Sequence, residues 1–257
     1  MHSAPLGNTG LHVTPISFGA FKIGRNQGAK YAAGYAIPDD AAVERLLNAV
    51  LDLGINYIDT APAYGLSEER IGRFLARRRS EFVLSTKVGE TFLDGPSEYD
   101  FSGEAVRRSI ERSLTRLRTD CLDIVFIHSN GDDRSILRET DCLPTLLDLK
   151  SRGMIRAVGF SGKTVDGAKD AMNSADVLMV EFHLEDQTHA AVIEDAATRG
   201  IGVVVKKGLA SGRLPPSDAL RFLLSNPAVG AVVIGGLNAE HIAANVEMAM
   251  ELRQPAA

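Results

Sequence analysis

The architecture this sequence predicts is a closed (β/α)8 barrel, the TIM-barrel fold of the α/β class. Short apolar runs alternate with amphipathic helical patterns eight times along the chain. Such alternation implies parallel strands joined by right-handed crossovers. Eight units in 257 residues match the ~250 residues that a closed barrel usually takes. An open doubly wound sheet is the rival. It should carry a G-x-G-x-x-G turn after its first strand, and the segment from Phe18 to Gly24 reads F-G-A-F-K-I-G instead. No Ser/Gly-rich linker, charge block or low-complexity tract interrupts the alternation, so a single domain over 1–257 is expected.

In chain order, residues 6–13 carry Gly7 and Gly10 and read as a short N-terminal hairpin capping the barrel floor. The β-like runs are 15–20, 56–59, 82–87, 122–128, 155–161, 177–181, 202–206 and 231–234. The helical patterns are 39–53, 67–78, 103–118, 143–152, 165–173, 188–199, 217–224 and 239–252. Asp39-Asp40 and Ser67-Glu68-Glu69 are helix-start signals, supplying acceptors and negative charge to unpaired amides. Gly54, Gly153 and Gly200 follow helix ends, where a left-handed residue is wanted. Three longer stretches, 22–38, 90–102 and 128–138, read as loops, and Tyr31, Tyr35, Phe92 and Tyr99 within them could stack on a substrate.

Composition excludes several functions. Lys plus Arg total 28 and Asp plus Glu 33, a net charge of −5. That leaves no basic footprint for nucleic acid or an anionic membrane. No apolar run approaches the ~18–20 residues of a membrane span, and the N-terminus lacks the apolar core of a secretory signal. Cys121 and Cys142 cannot build a disulfide framework or a four-cysteine metal site. They read as small buried or half-buried thiols in a reducing cytoplasm. No metal is expected.

In a (β/α)8 barrel, chemistry gathers where strands end and βα loops begin. The second run ends in Asp59, five residues before Tyr64; the third ends in Lys87 and the fourth in His128. Alternation puts Lys87 on the same side as Val83 and Ser85, toward the barrel interior. A lysine there needs a counter-charge, and Asp59 is one strand away. A phenol with a pKa near 10 is a poor acid at neutral pH. A nearby ammonium stabilises the phenolate and makes it a better one.

These residues carry a family resemblance. D-T-A-P-A-Y-G from Asp59, S-T-K from Ser85 and L-D-I-V-F-I-H from Leu122 resemble the aldo-keto reductase superfamily. So do L-G-N-T-G-L-H-V-T-P-I-S-F-G-A-F from Leu6, G-M-I-R-A-V-G-F-S-G from Gly153 and G-L-A-S-G-R-L from Gly208. The resemblance covers nearly the whole chain in family order. It implies an enzyme that reduces aldehyde or ketone groups of small molecules with a nicotinamide cofactor. Tyr64 would be the proton donor, Lys87 its modulator, Asp59 the partner of Lys87, and His128 the group that orients the carbonyl.

The cofactor positions depart from the family pattern. Ser161 matches the serine that binds the carboxamide, but Gly162 stands where an asparagine is usual and Met179 where a glutamine is usual. Lys206 takes the place of the aromatic that stacks on the nicotinamide; its alternatives are the cofactor phosphates or an acid such as Glu181. By the same resemblance, the G-L-A-S segment would put Gly208, Leu209 and Ser211 against the cofactor. Near the C-terminus, Gly235 and His241 stand where basic residues usually grip the adenosine phosphate. Gly235, Gly236, Asn238 and the helix from Ala239 can still offer backbone amides to phosphate, and Asn245 resembles an adenine contact. Without an arginine fork the case for a 2′-phosphate weakens. The resemblance favours NADP(H), with NAD(H) second.

Two other classes stay open. One is a regulatory or binding barrel that kept the fold and weakened its hydride transfer. The other is a lyase or isomerase using Lys87 as a Schiff-base nucleophile, which a charge-stabilising Asp59 disfavours.

Overall fold

Eight parallel strands close on themselves in the computed structural model, which describes residues 1–28, 34–93 and 95–253. Tyr31 lies outside the described residues. The strands are β1 (Ile16–Gly19), β2 (Tyr57–Asp59), β3 (Val83–Val88), β4 (Leu122–His128), β5 (Ile155–Ser161), β6 (Val177–Glu181), β7 (Gly202–Lys206) and β8 (Ala231–Ile234). Each pairs with the next, and β8 returns to β1 through the Val232–Ile16 register. Outside lie α1 (Asp40–Asp52), α2 (Ser67–Leu75), α3 (Gly103–Leu117), α4 (Asp133–Glu139), α5 (Cys142–Ser151), α6 (Val165–Ala171), α7 (Ala190–Thr198), α8 (Pro216–Leu224) and α9 (Ala239–Leu252).

The alternating pattern of the strands sorts the core into two layers. Tyr57, Ile124, Phe126, Val177, Met179 and Val204 fill the barrel interior. Leu84, Val88, Val125, Ile127 and their neighbours pack between strands and helices. The floor is plugged as expected, with a shifted register: Ala4–Pro5 pairs antiparallel with His12–Val13, and residues 6–11 form the turn. Leu6 and Leu11 from that turn are buried in the interior cluster. Gly7 sits at φ +55°, and a Cβ there would come within 2.4 Å of the Gly202 nitrogen.

Helix starts follow the chemistry of their caps. Asp39 accepts from the Ala42 amide at 2.7 Å, and Thr164 from the Gly167 amide at 3.0 Å. Ser67 is different. Its buried hydroxyl turns inward, shares a 2.8 Å hydrogen bond with Thr60, and donates to the Ala20 carbonyl. α2 stops at Leu75 and the chain continues as a 3-10 turn, Ala76–Glu81. Gly54, Gly153 and Gly200 take positive φ after their helices.

Two elements lie where loops were expected. Glu90–Thr91 and Glu98–Tyr99 form a small antiparallel ribbon, and α4 occupies most of the 128–138 stretch. Seven residues are too few to stabilise a helix by themselves. α4 is anchored by buried Asp133, which accepts from Ser129, the Lys163 and Thr164 amides, and the Thr164 hydroxyl.

Register levels the strand ends. Asp59 lies opposite Ser85, His128 opposite Ser161, and Glu181 opposite Lys206. Among the described residues no helix is long and apolar enough to cross a membrane.

Candidate active site

Asp59 and Lys87 meet inside the barrel mouth, 3% and 2% exposed. The Lys87 ammonium donates to both Asp59 oxygens at 2.7 Å and to the Thr60 carbonyl at 2.8 Å. Three acceptors match its three N–H bonds, which makes a buried ammonium tolerable. Ser85 donates to Asp59 Oδ1 at 2.7 Å, and Tyr57 donates to Ser85 at 3.1 Å, so the carboxylate is held from below as well. Burial pushes the Lys87 ammonium below the usual lysine range, and the Asp59 carboxylate works against that push.

Tyr64 ends the 3-10 turn Pro62–Tyr64 that follows β2. Gly65 then turns the chain at φ +59°, where a Cβ would come within 2.3 Å of the Gly24 carbonyl. This turn brings the Tyr64 ring over the ion pair, its centre 4.8 Å from Lys87 Nζ. The ring stands edge-on to Phe21 at 5.0 Å and to His128 at 6.4 Å. The four residues expected from neighbouring strand ends therefore converge.

His128 has a partner that the sequence pattern did not mark. Its Nδ1 lies 2.7 Å from Glu90 Oε2, with the oxygen off the ring N–H axis. Glu90 stands three residues after Lys87 in the ribbon. Its Oε1 accepts from Ser97 at 2.5 Å and lies 3.7 Å from Arg25. Burial works against the Glu90 carboxylate, but His128, Ser97 and Arg25 outweigh it and bring it down to about 2. His128 is held below the usual histidine range by burial, with Glu90 opposing and Lys87 and Lys206 adding to the shift. The available signal for Glu90 was an ionisable residue just beyond a barrel strand.

A cavity of about 520 Å³ opens above this floor and runs past Met179 to Gly208, Leu209, Ser211 and Gly235. Ser161, Gly162 and Lys206 line it too. Lys206 does not reach Glu181. It donates to Ser161 Oγ at 2.9 Å and to the Gly162 carbonyl at 2.8 Å, while Lys207 takes Glu181. Burial and the neighbouring Lys207 bring the Lys206 ammonium down to about 7, with Glu181 opposing. Met179 is buried in the interior cluster and contributes apolar surface. Gly162 has a steric cause: a Cβ would come within 2.5 Å of the Phe160 ring and 2.9 Å of Asp133 Oδ2.

The loop after β7 is unusual. Lys207, Ala210 and Ser211 all take positive φ without being glycine. Such conformations cost of order 1–3 kcal/mol each and collect at ligand sites. At the start of α9, Asn238 caps the helix by accepting from the Glu240 and His241 amides. Gly235 reaches the cavity, whereas Gly236, His241 and Asn245 do not line it; His241 is exposed and Asn245 buried. Lys163, Asp186 and His189 line the cavity and were not anticipated.

Comparison with known proteins agrees with this geometry. Residues 15–219 match the model of the aldo/keto reductase family. L-galactose dehydrogenase of Arabidopsis thaliana is 30% identical over 293 residues, covering 96% of this chain and 88% of that protein. D-threo-aldose 1-dehydrogenase of a Pseudomonas species is 30% identical over 240 residues, covering 82% of this chain and 70% of that protein. A solved Pseudomonas aeruginosa structure, whose own assignment as an aldo-keto reductase is provisional, superposes with a TM-score of 0.91 at 44% identity. That match covers 98% of this chain and 95% of the other. On its closed barrel, its strand-end residues and these matches, the chain belongs to the aldo/keto reductase family.

Proposed function

We propose that the protein reduces aldehyde or ketone groups of small molecules to alcohols, using NADP(H) in the first place and NAD(H) in the second. The observation that carries this is the meeting of Tyr64, the Lys87–Asp59 pair and His128 at the floor of one cavity. The residues around the cavity fit a nicotinamide dinucleotide. Ser161 offers a hydroxyl at the β5 end, and the left-handed turns at Lys207, Ala210 and Ser211 suit a backbone that cradles phosphate. Gly235 and the α9 terminus supply a further anion site, narrowed by the Asn238 cap.

When bound, the cofactor supplies the hydride. The protein handles the proton. Tyr64 gives its hydroxyl proton to the carbonyl oxygen, and the Lys87 ammonium stabilises the phenolate left behind. Asp59 holds that ammonium in place and charged. His128 fixes the carbonyl oxygen between itself and Tyr64. Small aldehydes and aldoses are the first substrate class to test, because two of the similar proteins are named as sugar dehydrogenases. The free Cys121 and Cys142 suit a reducing compartment such as the cytoplasm.

The test mixes the protein with NADPH or NADH and a panel of aldehydes, ketones and aldoses while cofactor absorbance is followed. Turnover lost in Tyr64→Phe supports the proposal. Tight cofactor binding with no turnover on any of them favours the binding-barrel alternative, which the Lys206 bond to Ser161 would suit.

A further inference from the structure

His128 lies among charges from several elements. Lys87 reaches it from β3, Lys206 from β7, Tyr64 from the turn after β2, and Glu90 from the ribbon after β3. Arg25, from the segment after β1, stands behind Glu90 and also donates to the Ala63 carbonyl beside Tyr64. Its guanidinium stacks 3.4 Å from the centre of the Phe92 ring. Two ammonium groups oppose a positive charge on His128, and Glu90 supports one.

At 2.7 Å from Nδ1, even off the N–H axis, a carboxylate oxygen repels a lone pair on that nitrogen and so favours a proton there. The neutral ring is then the Nδ1–H tautomer, whose Nε2 accepts and cannot donate. A carbonyl oxygen needs a donor. We propose that Glu90 is a positioning residue for His128: its carboxylate holds the proton on Nδ1, so His128 offers an N–H to the cavity from Nε2 only as the imidazolium. This rests on the carbonyl-reducing function proposed above. It adds a condition, that the oxygen-orienting group is competent in its charged form and loses competence as it deprotonates.

Glu90→Gln is a suitable probe because its orientation can be anticipated. Ser97 donates to Oε1 and Arg25 faces it, so the glutamine carbonyl belongs there and its NH₂ replaces Oε2 opposite His128. That NH₂ can donate to Nδ1, which moves the neutral ring's proton to Nε2. Glu90→Asp keeps the negative charge.

The experiment labels histidine with ¹⁵N and records long-range proton–nitrogen spectra between about pH 5 and 9. His128 is assigned by the signal lost in His128→Gln. In the unsubstituted protein the neutral ring should be Nδ1–H. In Glu90→Gln it should switch to Nε2–H, with its titration midpoint lower by roughly one pH unit or more. Glu90→Asp should keep the original tautomer. In parallel, kcat/KM should fall about tenfold per pH unit above the His128 midpoint. That limb should disappear in Glu90→Gln and persist in Glu90→Asp. An unchanged tautomer and midpoint in Glu90→Gln overturns the proposal whether or not the protein reduces carbonyls. A tautomer that switches while the rate limb stays in place upholds the hold of Glu90 on the ring, and removes His128 from the proposed reaction instead.

Discussion

Lys206 spans the barrel mouth from the end of β7 to the end of β5 and donates a 2.9 Å hydrogen bond to Ser161. An ammonium therefore stands in the part of the cavity proposed for the nicotinamide ring. The oxidised ring is cationic and the reduced ring is neutral. At about 4 Å the repulsion is roughly 1 kcal/mol even in a water-like medium, so the oxidised cofactor should bind several-fold more weakly than it otherwise would. Fluorescence titration of both redox forms checks this. Lys206→Tyr should tighten the oxidised form more than the reduced one, since an aromatic face attracts the cation. Equal gains for the two forms would leave Lys206 as a tether for Ser161 alone.

The same charge gives a pH dependence. Lys206 is brought down to about 7, so the ammonium dominates below that pH and the neutral amine above it. Affinity for the oxidised cofactor should rise as pH increases through about 7, while affinity for the reduced cofactor stays nearly constant. In Lys206→Met the slope should vanish.

Tyr64→Phe removes the hydroxyl and keeps the ring that packs on Phe21 and faces Lys87. Turnover should fall by roughly 10²–10⁴. Cofactor affinity, measured by titration, should change little. Near-normal turnover would exclude Tyr64 as the donor.

Lys87 and Asp59 should behave as one unit, because each satisfies the buried charge of the other. Lys87→Met should nearly abolish reduction. Asp59→Asn should cost much of the same activity by leaving the ammonium underpaired. In a double-mutant cycle the combined variant should be no worse than the more damaged single variant. Defects that simply multiply would show that the two act independently.

Gly162→Ala addresses packing. The added Cβ would press on the Phe160 ring and on Asp133, which ties α4 to the β5 loop. Overpacking of this kind costs about 1–3 kcal/mol. Chemical denaturation should show that loss with an unchanged slope. Unaltered stability would mean that the Asp133 clip yields easily.

The barrel was legible because short apolar runs, buried on both faces, alternate with helical spacing directly in residue order. Asp59, Lys87 and His128 were legible for the same reason: strand ends in consecutive units of a closed barrel become neighbours. α4 was not, since what anchors it is Asp133 accepting from Lys163 and Thr164 in the loop after β5, a contact remote in the chain. Glu90 was obscured by the ribbon that turns it back over β4, a pairing between residues too few and too polar to announce a strand.

By itself, then, the sequence determined the barrel and the meeting of Asp59, Lys87 and His128 at neighbouring strand ends, because each depends on residue type and on order along the chain; the departures at Gly162, Met179 and Lys206 were visible only against the family resemblance. Only the tertiary structure decided that Lys206 bonds Ser161 rather than Glu181, that Gly162 is forced by Phe160 and Asp133, and that Glu90 stands against His128. The first and third depend on distances between side chains from different βα units, and the second on where Asp133 at the start of α4 meets the end of β5. Such distances are set by barrel closure and loop packing, which local pattern does not encode.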